Sequence, residues 1–397
     1  MVKKDRSEIV KTTYQFKMLP ELYQKHLKNL LSESQLLFFY LVVIIVQDIK
    51  DVKLEKIAES LPLPIKCNSR RKKLQRFFSL PIFQIKKMWF PLVREWLTQK
   101  FDKHKKIYLA IDRTNWNNKN LLVVSIIYKN RAIPIYFELL SKLGSSNFLE
   151  QKQILSTIIG LFDSYHVVIL GDREFCSVKL AEWLDKQGFK FCLRLKKNEQ
   201  IELKNQGWIS LKNSGLKPGI SLFFEKVKVT KTKQVSGFSI ACKWKKSYRK
   251  SVSQEGWFIL TNMSELSEAI SAYKKRFDIE EMFRDYKSGG YNMEGSNVVG
   301  KRFISLLIII SFAYFIATIK GEIINKKGVQ DYVARVKEYG RLTKRHSSFY
   351  IGMYAQKWIH FMDKCWELVY ALMRLSRHKL DNYLRGMRAM KLIQSTF

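Results

Sequence analysis

IYLAIDRTNWNNKNLLVVSIIYKNRAIPIYFEL, residues Ile107–Leu139, is the stretch that decides the fold. It holds three β-branched or aromatic runs, IYLAID (Ile107–Asp112), LLVVSIIY (Leu121–Tyr128) and AIPIYFEL (Ala132–Leu139), joined by short polar connections. Such runs read as strands. The first two form a hairpin around NWNNKN, and the third follows through a turn at Lys129–Arg131. Beyond them a helical stretch, Phe148–Asp163, leads into the apolar strand HVVILGD (His166–Asp172). A helix at Ser177–Gln187 and the strand FKFCLRL (Phe189–Leu195) complete the series. A three-strand meander followed by helix, strand, helix, strand is an α/β order.

Upstream, residues 1–100 read as helical, and the helix LEKIAESLPLP, ended by Pro62 and Pro64, precedes the basic run SRRKKLQRFF (Ser69–Phe78). A short helix, a proline-marked turn and a basic helix fit a helix-turn-helix-like unit. The basic helix is either a DNA contact or an ordinary charged surface. Downstream, residues 199–262 are β-rich and basic, punctuated by glycines, and read as an insertion ending in GWFILTN (Gly256–Asn262). An apolar helix at about 303–320 and a basic helical tail, with Lys344, Arg345, Arg374, Arg377, Arg385 and Arg388, follow. The expected divisions are a helical DNA-binding region (1–100), a core in two parts (101–198 and 263–325), the β insertion (199–262) and a basic helical region (326–397).

The chain has 71 Lys plus Arg against 35 Asp plus Glu, a net charge of +36 over 397 residues. That imbalance costs self-repulsion in a compact state and calls for a polyanion, of which nucleic acid is the commonest. The charges are spread along the chain, which disfavours a membrane-surface role. Five cysteines without a CxxC pair read as reduced thiols, and MVKKDRSEIV lacks the apolar stretch of a secretory signal. These features suit a cytoplasmic protein. The 17-residue apolar run Phe303–Ile319 reads as a core helix.

SAYKKRFDIEEMFRDYKSGG, Ser271–Gly290, carries the richest polar pattern. Tyr273, Arg276, Glu280 and Lys287 stand at helical offsets that place them in a stripe about 60° wide. Gly289 and Gly290 supply the helix stop. The stripe is either a solvated face with internal ion pairs or a site that grips a phosphodiester and a metal. Asp112 and Asp172 each end an apolar strand, at the edge where open α/β sheets carry their sites. Each is also in a position where aspartate serves as a turn former. Three carboxylates brought together repel unless cations neutralise them. Hard oxygen ligands suit magnesium or manganese, and two such ions about 3.5–4 Å apart support phosphodiester displacement.

The order strand–Asp112, strand–Asp172, β insertion, helix–Glu280 resembles the DDE transposases on a ribonuclease H-like fold. The spacing Tyr273-x2-Arg276-x3-Glu280-x6-Lys287 matches the Y-R-E-K signature of the insertion-sequence-four group. DREF (Asp172–Phe175) and Asp112-x-Thr114 resemble that group's other motifs. The resemblance covers about residues 106–320. It implies an α/β, ribonuclease H-like core in which Asp112 bridges two divalent ions, Mg²⁺ or Mn²⁺, with Asp172 on one and Glu280 on the other. Tyr273, Arg276 and Lys287 then contact DNA-end phosphates, and Arg173 and Glu174 support the metals or nearby DNA. Trp257 sits where the group stacks an aromatic on a flipped base; as a residue it is equally a core or interface aromatic. The implied function is a bacterial or archaeal cut-and-paste transposase that cuts at terminal inverted repeats through a hairpin and joins target DNA as a homodimer. The alternatives are a ribonuclease H-like nuclease without strand transfer and a catalytically silent, transposase-derived DNA-binding protein.

Overall fold

A computed structural model of the chain describes residues 19, 21–203, 206–232, 234–246, 255–335, 339–340 and 345–397. The readings of MVKKDRSEIV and of Lys344 lie outside these described residues. Ahead of the sheet stand α1 (Glu21–Leu30), α2 (Glu33–Ile49), α3 (Leu54–Ser60), α4 (Cys67–Phe78) and α5 (Phe90–Lys100). A π-turn at Ile85–Trp89 leads into α5, and within it Trp89 Nε1 donates to the carbonyl of Pro134 at 2.9 Å. α3 packs against the basic α4.

The meander forms β1 (Lys106–Trp116), β2 (Lys119–Tyr128) and β3 (Arg131–Leu140). Both connections are tight. Asn117 (φ 53°) opens the first, and Lys129 (φ 49°) and Asn130 (φ 61°) form the second. Left-handed residues at two-residue turns match the twist of the flanking strands. α6 (Phe148–Ile158), β4 (His166–Gly171), α7 (Val178–Lys186) and β5 (Lys190–Arg194) follow. β1, β2 and β3 pair antiparallel, whereas β1, β4 and β5 pair parallel. The order β3-β2-β1-β4-β5 is that of a ribonuclease H-like core. β2 is buried from Asn120 to Tyr128, as a central strand covered on both faces must be.

α6 starts with a reciprocal cap, in which Asn147 accepts from the Glu150 N–H while the Glu150 carboxylate accepts from the Asn147 N–H. Asn147→Ala is expected to lower stability by about 1 kcal/mol in urea denaturation.

The β-rich block does not stand apart from this core. β6 (Gln200–Leu203), β7 (Gly207–Ser210), β8 (Ser221–Val229), β9 (Val235–Lys243) and β10 (Trp257–Thr261) extend the same sheet to ten strands. β10 lies between β5 and β9.

Next come α8 (Leu266–Lys274) and α9 (Phe277–Tyr286), where the sequence suggests one helix through Lys287. The break has a local cause. Around Lys275–Arg276 the backbone closes on the third residue back, with Lys275 N–H to Ala272 and Arg276 N–H to Tyr273, each at 3.0 Å. Three residues per turn replace 3.6 there. The single stripe of four residues is therefore corrected: Tyr273 is on α8, Arg276 at the junction, Glu280 on α9, and Lys287 beyond its end.

α10 (Gly300–Lys326), α11 (Ser348–Lys364), α12 (Trp366–Leu375) and α13 (Leu380–Gln394) complete the chain. α10 is long and apolar enough to cross a bilayer, but 89% of its most apolar window is buried inside the molecule. Residues 49–311 pack as one compact unit, and residues 1–48 with 312–397 as another. In the second unit α2 buries Phe39, Val42, Val43 and Val46. Gln47, also buried, donates from Nε2 to the Ala313 carbonyl at 2.8 Å. Gly321 on α10 and Gly352 on α11 let the two backbones touch, because a Cβ at either would collide with a carbonyl oxygen of the other helix.

Candidate active site

β1 and β4 run parallel in register, with Ile111 opposite Gly171, so the next residues, Asp112 and Asp172, stand side by side where β4 ends. Asp112 does not end its strand as the sequence suggests: β1 runs on to Trp116, with Asp112 opposite Val123 of β2. Local sequence sets the second of these. Asp172 Oδ1 accepts from the Glu174 N–H at 2.8 Å and caps the turn Arg173–Phe175. That turn folds Phe175 back under the strand end, so closely that a Cβ on Gly171 would stand 2.8 Å from the Phe175 Cβ. The glycine before the aspartate is thus required by packing.

Beside the aspartates lies a brace built on Glu174, which the sequence points to, and on Arg113 and Ser146, which it does not. Arg113 Nε donates to both Glu174 oxygens, at 3.1 and 2.8 Å. Glu174 also accepts from the backbone N–H and hydroxyl of Ser146 at 2.8 and 2.7 Å. Arg113 further donates to Asn115 and Asn120. The network ties the end of β1 to the turn after β4. Its only local signal is the basic residue after Asp112 and the acid two after Asp172.

Arg276 occupies the centre of the cluster. Its side chain is only 5% exposed; Nη2 donates to Glu280 Oε1 at 2.6 Å and Nη1 lies 3.8 Å from Asp112 Oδ2. The guanidinium lies 4.5 Å from the Phe277 ring centre and 5.6 Å from that of Tyr273. Trp257, at the start of β10, meets Tyr273 edge-on at 5.2 Å and Phe277 at 5.7 Å. Tyr273 is fully buried, and burial raises its phenol above the ordinary value. Phe277, which the sequence did not single out, is partly exposed at the edge of this aromatic group.

The electrostatics of Asp112 are unfavourable for a lone carboxylate. Burial first, then the charge of Asp172, pushes its carboxyl up to about 7; Glu280 adds to the rise, while the Arg113 N–H and Arg276 oppose it. One guanidinium does not neutralise the group. Glu280 is half-exposed and engaged by Arg276. Among the described residues, no three His, Cys, Asp or Glu side chains converge as a ready metal cluster.

The structure therefore brings together Asp112, Asp172, Glu280, Arg276, Tyr273 and Trp257. The Lys287 ammonium pairs with Glu294 at 3.2 Å. Arg173 points to Glu255 at 2.7 Å, which also holds Arg194 at 2.9 Å. Neighbouring carboxylates, one within β1 and one just past β4, are a hard donor pair, suited to Mg²⁺ or Mn²⁺. Burial first, then the charge of Asp172, disfavours the ionised Asp112, and a cation beside it would offset both. The donor set thus fits a divalent cation.

The family model described as "Transposase DDE domain" matches residues 103–316, a span that contains Asp112, Asp172 and Glu280. No curated protein matches the chain. Among solved structures, the chain is similar to a piggyBac transposase synaptic complex with hairpin DNA, determined by cryo-EM. Identity is 15% and the TM-score 0.43, over 90% of this chain and 75% of that one.

Proposed function

Given that this chain belongs to the transposase DDE domain family, whose members cleave DNA and transfer its ends, we propose that it is a cut-and-paste transposase of the insertion-sequence-four group. In this reading it binds the terminal inverted repeats of its element, cuts them through a hairpin, and joins the freed 3′-OH ends to target DNA as a homodimer. The observation that carries the reading is the pair Asp112, within β1, and Asp172, just past the end of the parallel β4, with Arg276 and Glu280 against Asp112.

Two divalent ions, when bound there, would activate an attacking oxygen and stabilise a leaving one. Asp112 would offer its oxygens from within β1 and Asp172 from the end of β4, and the Arg113–Glu174–Ser146 brace ties β1 to the turn after β4. Glu280, which Arg276 holds here, would be the third residue to hold the ions. Arg276 would grip a phosphate of the DNA end, with Tyr273 beside it and Lys287 and Arg173 further out. Trp257 is the stacking surface for an unpaired base at the hairpin, since an aromatic face accepts any base. Residues 1–100, with the basic α4, hold the repeat; 101–198 and 263–325 form the catalytic core; 199–262 is the insertion and 326–397 the basic tail. The setting is the cytoplasm of a bacterium or archaeon.

The test is incubation of the full chain with labelled DNA carrying the inverted repeats that flank its gene, with Mg²⁺ or Mn²⁺. Cleavage, hairpin and joined product are expected. Cleavage without a hairpin or joined product would favour a nuclease, and binding without cleavage in either metal would favour a silent DNA-binding protein. Arg276→Ala is expected to weaken binding of those ends and lower the salt slope by about one unit per lost phosphate contact. An unchanged slope returns Arg276 to a purely structural role.

A further inference from the structure

A chain of net charge +36 repels a second copy of itself. Any surface on which two copies meet must be apolar and locally neutral. α12, WELVYALMRL, meets both conditions, with one acid and one base in ten residues. Only Met373 on this helix is buried. Leu368, Leu372 and Leu375 are 70%, 58% and 83% exposed, and Tyr370 is 52% exposed. Monomers seldom leave such an apolar row open to water.

The charges on the same helix say what covers it. Glu367 and Arg374 are exposed and have no ion-pair partner among the described residues. They stand seven residues apart, two turns, so both project from one side at about 20° from each other. When two such helices lie antiparallel about a two-fold axis, Glu367 of each copy faces Arg374 of the other. Leucine then faces leucine, because the axis keeps each stripe on its own side. The pattern is complementary to itself and to no strongly charged partner.

We propose that α12 is the contact through which two copies of this chain associate, antiparallel and two-fold symmetric. The proposal rests on the transposase reading only for the use of the pair, which is to hold two DNA ends. Its test does not involve the carboxylates.

Sedimentation equilibrium of the full chain at ~0.15 M salt, freed of nucleic acid, should show a reversible dimer with a micromolar or tighter dissociation constant. Glu367→Arg or Arg374→Glu alone places like charges opposite each other at two symmetric points and should weaken it about tenfold. The double variant E367R/R374E should return to within about threefold of the parent, since both pairs are restored in reverse. Leu372→Glu should be monomeric with an unchanged circular dichroism spectrum. A parent chain still monomeric at ~50 μM would overturn the proposal. So would dimers indifferent to Leu372→Glu, or a double variant no better than the singles. Because none of these variants touches Asp112 or Asp172, metal-dependent cleavage by the same preparations reports on the transposase reading separately.

Discussion

Asp112→Asn is expected to abolish metal-dependent DNA cleavage while making the protein more stable at pH 8. The loss should reach about a thousandfold, because a bound cation supplies several kcal/mol of charge stabilisation at about 1.4 kcal/mol per factor of ten. The gain in stability follows from the sign of the shift. In the folded chain the Asp112 carboxyl is raised from 3.8 to about 7, chiefly by burial. A carboxyl raised in this way contributes stability that is fully present below about pH 4 and is lost as pH rises through about 7. At pH 8 the ionised carboxylate thus destabilises the fold, by at most about 4 kcal/mol at 1.36 kcal/mol per unit. Asparagine removes that charge. Thermal melts without divalent ions should show the variant above the parent at pH 8, with the gap closing towards pH 4. Adding Mn²⁺ should raise the melting temperature of the parent and not of the variant, and the parent's response should grow as pH passes about 7. Equal melting curves at pH 8, or a full Mn²⁺ response by the variant, would remove Asp112 from the metal site.

The second large effect is far from the chemistry. Gly352→Ala should destabilise the chain by about 3 kcal/mol, at the upper end of ordinary overpacking. The added methyl meets the Ala317 carbonyl, a backbone atom that cannot rotate aside, and Gly321→Ala meets the Ser348 carbonyl in the same way. α10 and α11 must then separate and loosen the apolar contacts made around Ile324, Ile351 and Ala355. Gly386 provides the contrast. It lies within α13, and a Cβ there meets only a Tyr332 ring carbon at 3.9 Å. Gly386→Ala should stabilise by about 0.8 kcal/mol, the ordinary helix preference. Urea denaturation of the three variants separates close approach from propensity.

These glycines mark the limit of what can be read from sequence. Strand positions and the two aspartates are legible, because alternation, turn residues and a carboxylate after an apolar run are local signals, although β1 runs on past Asp112 to Trp116. Residues spaced 3 and 7 apart look the same whether the helix is continuous or tightens for one turn, so the break at Lys275–Arg276 is hidden. So is the burial of Arg276 between Glu280 and Asp112. The Arg113–Glu174 brace joins residues 61 apart, and neither has a local reason to find the other. The ten-stranded sheet is hidden in the same way, because β10 skips four strands to pair with β5.

That last pairing has a structural consequence. β5 and β10 are antiparallel neighbours, with Arg194 opposite Ile259, so the chain leaves the core and re-enters it at adjoining points. Everything between them is topologically the loop of a single hairpin. Closure entropy grows only with the logarithm of loop length, so whole strands can be gained or shed at this point while Asp112 and Asp172 stay where they are. The constraint on a shortened chain comes from elsewhere: without β9, β10 becomes a bare edge with unpaired backbone groups, open to strand addition from another molecule.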